Sequence, residues 1–150
     1  MIEYRPAQAE DQQAISDFVR SEHLNPTGLH WQRFTIALDN EGRLVGCVQV
    51  RHHRDGSREL GSFAVRPHWR NRGIGARLVE RALLRDPGPV HLVTRLELAG
   101  YFGRWGFAPV TAGAPLILRL QQSIGCVLGG LVSLFKGRKP NRLVILGLQP

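Results

Sequence analysis

Between Glu59 and Thr94 the hydrophobic rhythm changes twice, and that stretch constrains the fold more than any other. Glu59-Leu60-Gly61-Ser62-Phe63-Ala64-Val65-Arg66 reads as a strand that Pro67 ends. From Gly73 onward Ile74, Leu78, Ala82 and Leu83 recur at helical spacing. Val90-His91-Leu92-Val93-Thr94 then reads as a strand of the buried type. A strand, a helix and a second strand in that order predict a parallel, right-handed crossover. That pattern places the chain in the α/β group, in the mixed α+β sense, and sets aside an all-helical or all-β fold.

The flanking sequence fills in the remaining elements. Residues 2–5 predict a short strand. Ala9-Glu10-Asp11 opens a helix whose apolar stripe is Ile15, Phe18 and Val19, with its acids where the helix dipole favours them. Leu24 to Gly28, carrying Asn25-Pro26, breaks the chain into a loop, and Leu29 to Phe34 predicts a short second helix. Strands follow at Phe34–Leu38 and Arg43–Arg51 around the turn Asp39-Asn40-Glu41-Gly42, and Asp55-Gly56 marks a second hairpin. Leu96 to Trp105 predicts a helix closed by Gly106, and Phe107 to Val110 begins a further strand.

Composition narrows the function classes. At 150 residues the chain is expected to form one domain, 1–150. The charged share of 21% is that of an ordinary globular protein. No apolar run reaches the roughly 18 residues that span a bilayer, and residues 1–6 lack a basic-then-apolar leader. Two cysteines, Cys47 and Cys126, are too few for a disulfide framework and lack metal-ligand spacing, so no metal is expected and a cytoplasmic location is. The formal charge of +8 is concentrated late: residues 101–150 hold six Lys or Arg and no acid. A basic chain attracts anions. Without basic aromatic repeats or zinc spacing, however, no nucleic-acid partner is expected.

The sharpest chemical signal is Val65-Arg66-Pro67-His68-Trp69-Arg70-Asn71-Arg72-Gly73-Ile74-Gly75-Ala76. A strand stops, a basic glycine-containing turn follows, and a helix opens from it. Free backbone N–H groups at a helix N-terminus bind anions, and Gly73 and Gly75 let a bulky phosphate approach closely. Arg70 and Arg72 add positive charge. The arrangement suits a pyrophosphate. The chain lacks both G-x-G-x-x-G and G-K-[ST] here, which argues against a dinucleotide fold or a nucleoside-triphosphate loop.

Arg70-Asn71-Arg72-Gly73-Ile74-Gly75 resembles the [QR]-x-x-G-x-[GA] signature of the GNAT N-acetyltransferase superfamily. Ile2 to Ala7 is similar to that family's opening strand, Glu59 to Val65 to its fourth strand, and Ala99 to Phe107 to its late helix ending in Gly-Phe. The resemblance covers residues 1–112 and implies a central, mixed, mostly antiparallel sheet flanked by helices. It implies that the fourth strand is bulged around Phe63, Ala64 and Val65, splays from the Val90–Thr94 strand, and binds the pantetheine arm of acetyl-CoA. It implies further that Arg70, Asn71, Arg72, Gly73, Ile74, Gly75 and Ala76 hold the pyrophosphate. The expected activity is acetyl-CoA-dependent transfer to a primary amine, on a small molecule or a protein N-terminus, by direct attack. A catalytically weak acyl-CoA-binding module and a basic membrane-associated protein are the alternatives.

Direct attack needs a base, because an amine is mostly protonated near neutral pH. Glu59, eleven residues before Arg70, stands where some GNAT enzymes carry a general-base carboxylate; the other reading is a hairpin glutamate paired with Arg58 or Arg51. The family's thiolate-protonating tyrosine maps onto Phe102, and Tyr101 is one residue early, about 100° around a helix. Tyr101 is therefore the candidate acid only in a shifted register. His52 and His53 lie at a strand end, Cys47 reads as a small buried hydrophobe, and Trp31 reads as a pocket wall or as packing.

Residues 115–150 lie beyond the resemblance. Leu116, Leu120, Ile124, Val127, Leu128, Leu131, Val132 and Phe135 fall at helical spacing, and Leu143 to Leu148 reads as a final strand. This C-terminal amphipathic helix is expected to bury its stripe in the core or in a homodimer, with peripheral membrane contact through 116–142 as the alternative.

Overall fold

The computed structural model describes residues 1–110, 113–116, 118–120, 122–123 and 143–148. They form two compact units, one of Met1–His52 with Glu59–Pro87, the other of His53–Arg58 with Gly88–Pro150. The architecture is mixed α and β, and the strand pairs set out below are antiparallel.

In the first unit the strands stand in the order β1 (Glu3–Pro6), β2 (Phe34–Leu38), β3 (Leu44–His52), β4 (Arg58–Val65). β2 pairs with β3 through Ile36 opposite Cys47, and the register slips between Ala37 and Leu38. Helix α1 (Gln12–Ser21) covers one sheet face, where Ile15, Phe18 and Val19 meet Phe34, Ile36 and Cys47. Helix α2 (Ile74–Arg85) covers the other. Side chains alternate along a strand, so Gly46 faces opposite to Cys47. A Cβ at Gly46 would stand 3.0 Å from Leu78 Cδ1 and 3.1 Å from the Ala64 carbonyl oxygen, so a side chain there would press on α2 and on the β4 backbone. Burial from both faces explains why β2 is buried along its whole length and β3 from Leu44 through Arg51.

The entry to α1 is set by Arg5, which donates to Asp11 at 2.6 and 3.0 Å, and by the Gln8 N–H, which donates to Asp11 at 2.7 Å. The exit is a left-handed residue, His23 at φ 56°, after which the Leu24 N–H returns to the Val19 carbonyl. The short helix expected over Leu29–Phe34 is a single 3-10 turn, Trp31–Arg33, and Phe34 already belongs to β2. Gln12 supplies the missing support: its amide donates to the Leu29 carbonyl and accepts from the Trp31 N–H, each at 3.0 Å.

The second unit orders its strands β5 (Val90–Arg95), β7 (Leu143–Leu148), β6 (Ala108–Pro109). β7 is the expected final strand, paired antiparallel with both neighbours. The helix expected over Leu96–Trp105 is a 3-10 turn at Leu96–Leu98, then α3 (Ala99–Gly103), then a turn through Gly106 at φ 86°. Helical backbone reappears at 116, 118–120 and 122–123, where Gln122 donates to the Leu143 carbonyl at 2.8 Å. Its facing differs from the expected stripe: Leu118 is fully buried while Leu116 and Leu120 are exposed. Residues Ile124 to Phe135 of that stripe lie outside the described residues. Among the described residues no helix is long and apolar enough to cross a membrane.

Candidate functional site

The end of β4 and the start of α2 form one continuous feature in the first unit. Ser62 sits inside β4 at φ 47°, a left-handed conformation that a serine adopts only under strain. It breaks the strand's alternation immediately before the partly buried Phe63, Ala64 and Val65. Cys47 Sγ reaches the Ser62 carbonyl at 3.3 Å. Arg66 then closes the strand: its N–H donates to the Val45 carbonyl and its Nε to the Leu44 carbonyl, both at 2.8 Å, and its guanidinium lies 4.9 Å from the Phe18 ring centre. Arg66 is thereby a structural anchor.

Pro67–Trp69 make one 3-10 turn, and two left-handed residues follow, Asn71 at φ 60° and Gly73 at φ 75°. They reverse the chain so that α2 begins at Ile74, and the first intrahelical bond runs from the Arg77 N–H to the Gly73 carbonyl at 3.1 Å. The N–H groups of the opening turn have no intrahelical acceptor. Arg72 stacks 5.1 Å from the Trp69 ring centre. Arg70 is held twice, by Nε to the Val65 carbonyl at 2.8 Å and by Nη2 to Glu22 Oε2 at 2.9 Å. Glu22 was not among the sequence candidates. It caps α1 forty-eight residues earlier, and nothing local in the sequence connects it to the turn.

Glu59 lies elsewhere in the same unit, in a buried polar cluster on the α1 side of the sheet. Its carboxylate stands 3.6 Å from Arg51 Nη1, and both side chains are under 10% exposed. Arg51 Nη2 also donates to Ser62 Oγ at 3.0 Å and to the Thr27 carbonyl at 3.4 Å. With the Gln49 amide oxygen turned toward it, Arg51 donates there through Nε at 3.0 Å and Nη2 at 3.1 Å, and Ser62 Oγ donates at 2.8 Å. The pairing with Arg51 anticipated for a hairpin glutamate is therefore present. The sequence did carry a sign of the cluster: Gln49 and Arg51 share one face of an otherwise apolar strand.

The remaining candidates separate. Cys47 is fully buried, and burial, followed by the Glu22 charge, pushes its thiol far above the usual range. In a Cys126→Ser background, Cys47 should resist a thiol reagent at neutral pH and react on unfolding; fast labelling of the native chain would contradict this burial. His52 faces the α2 side and meets Asp86 at 2.6 Å. Trp31 packs against the α1 core.

Tyr101 and Phe102 belong to the second unit. Phe102 is buried, with ring centres of Trp105 and Phe107 at 6.2 and 6.0 Å. Tyr101 is half-buried under the Arg104 guanidinium, 4.4 Å from its ring centre. Among the described residues no cluster of His, Cys, Asp and Glu could hold a metal ion.

The model of the acetyltransferase (GNAT) domain family matches residues 30–109. An uncharacterized N-acetyltransferase of Chlorobaculum tepidum is 31% identical over 83 residues, which are 54% of this chain and 53% of that protein; the match spans about half the length of that relative. The Mycobacterium tuberculosis protein Rv2747, solved in complex with CoA, superposes with a TM-score of 0.67 at 24% identity over 99% of both chains. The N-acetylglutamate synthase of Neisseria gonorrhoeae, solved with coenzyme A and N-acetyl-glutamate, gives a TM-score of 0.67 at 18% identity over 98% of this chain and 34% of that one.

Proposed function

We propose, from the premise that the chain belongs to the GNAT acetyltransferase family, that it moves an acetyl group from acetyl-CoA to a primary amine. The observation that carries the reading is the β4–α2 turn. There, left-handed Asn71 and Gly73 lead into the unbonded N–H groups that open α2, directly after Arg70 and Arg72 in the chain. A pyrophosphate is the anion such a turn fits. The backbone at Phe63, Ala64 and Val65, beyond the kink at Ser62, binds the pantetheine arm.

The amine, on a small molecule or a protein N-terminus, attacks the thioester carbonyl carbon. The tetrahedral oxyanion collapses, the carbon–sulfur bond breaks, and amide and CoA thiolate result. Glu59 takes the proton that the amine must lose, through water. The thiolate takes its proton from water, since Phe102 occupies the position of the family's tyrosine and has no proton to give; Tyr101 serves in its place only in a shifted register. Phe102 also favours one second reading, an acyl-CoA-binding module with little turnover. CoA release from acetyl-CoA in the presence of an amine library separates the two.

Calorimetry with acetyl-CoA tests the turn itself. Gly75→Glu should abolish binding, because a side chain and a negative charge enter the phosphate's position. Wild-type affinity in that variant would refute the assignment.

A further inference from the structure

We infer that the first unit carries a second ligand site, for a compact oxyanion, on the α2 face of its sheet and at the opposite end of that helix from the Arg70–Ala76 turn. A cavity of about 270 Å³ opens there between the Trp31–Arg33 turn, β2, the end of β3 and the last turn of α2. It is separate from the Glu59 cluster, because Val50 and His52 line it while Gln49 and Arg51 point to the other sheet face. It is also removed from the turn, since α2 places its last residue roughly 16 Å along the axis from its first.

Three features of the wall call for an anion. Arg33 lines the cavity; its backbone N–H donates to the His30 carbonyl at 3.0 Å, and its guanidinium makes no hydrogen bond or ion pair among the described residues. Arg85 meets only carbonyl oxygens, donating to those of Phe34 at 2.7 Å and of Gln32, so no carboxylate offsets its charge. Thr35 is only 3% exposed and lines the cavity, and its hydroxyl has no hydrogen-bond partner among the described residues. That hydroxyl borders the cavity, and the cavity is where a partner for it would sit. The one carboxylate on the wall, Asp86, is engaged by His52 Nε2 at 2.6 Å. Two guanidinium groups and a hydroxyl thus face a space whose apolar part is Val50 and Ala82. Phosphate and a short dicarboxylate share the chemistry that this wall recognises.

The test uses the full chain at constant ionic strength, with inorganic phosphate and malonate titrated separately by calorimetry and chloride as the control. Saturable binding of either anion is expected, weakened roughly tenfold or more by Arg33→Gln, which removes a charged donor. Thr35→Val, which keeps the shape of a strand side chain, should weaken it less. Acetyl-CoA affinity should be unchanged in both variants. Tighter phosphate binding supports the site and points to phosphorylated metabolites; tighter malonate binding supports it and points to carboxylates. The inference is overturned if neither anion binds saturably or if Arg33→Gln and Thr35→Val bind like wild type. Phosphate binding that survives Arg33→Gln but is lost in Gly75→Glu would equally overturn it, by assigning the anion to the turn.

Discussion

Glu59→Gln is expected to lower kcat for acetyl transfer by roughly 10²–10⁴-fold, the range of a general base, while acetyl-CoA affinity stays near that of the wild type. The split follows from position. Glu59 lies at the first residues of β4, whereas the proposed phosphate contacts begin at Arg70. The loss should shrink as pH rises, since an amine that is already neutral needs no base. Arg51 makes the measurement more than a deletion test. Its guanidinium would remain buried beside an amide, held by Gln49, Ser62 and the Thr27 carbonyl. Breaking one side of a buried pair costs roughly 3–5 kcal/mol in unfavourable cases. A lower Tm in the same variant is therefore expected, and kcat is to be read well below that Tm. Tyr101→Phe should do less, because its ring is already taken up by Arg104, Phe102 and Trp105. A fully active Glu59→Gln beside a dead Tyr101→Phe would reverse the two roles.

The reach of sequence reasoning varied with the range of the interaction. β2, β3, β5 and α2 carry their period and their stops in consecutive residues, and all four appear within a residue or two of their expected bounds. The Arg70–Ala76 turn was legible for the same reason, since proline, arginines and glycines lie in one run. Elements that failed to match were short and decided by contacts far along the chain. Trp31–Arg33 became a 3-10 turn because Gln12 satisfies its ends. The strand expected over Phe107–Val110 shrank to two residues, Ala108–Pro109, one of them a proline that cannot donate to a ladder. In the late helix, spacing alone suggested Leu116 and Leu120 as the inward face, yet Leu118 is the buried one and Gln122 bonds to β7. Periodicity gives a stripe but not the neighbour that it meets. Glu22 illustrates the limit most directly. Its partner Arg70 is a site candidate read from local sequence, and their 2.9 Å contact exists only after α1 and the turn have both been placed.

Leu146→Asp should produce the largest stability loss of any single change considered, giving insoluble chain or one without a cooperative thermal transition. Leu146 is fully buried in β7, and its Cα partners are Leu92 in β5 and Pro109 in β6. β7 is the middle strand of its three-stranded group, so a disturbance there reaches both neighbours. Ile145 is also buried, so both faces of the strand are covered at this point and a carboxylate has no short route to water. Burying a charge without a partner costs several kcal/mol, comparable with the roughly 5–15 kcal/mol that holds a whole domain together. Removing residues 115–150 should have the same outcome, because it takes β7 out entirely. Leu120→Asp is the control: Leu120 is half-exposed on the helical segment beside β7, and a surface change of that kind is expected to stay within about 0.5 kcal/mol. A Leu146→Asp chain that melts cooperatively at the wild-type temperature would mean that β7 does not carry the second unit. If Leu120→Asp were the variant that aggregated instead, the exposed leucines of the late helix would be the buried face, in a partner or in a second copy of the chain.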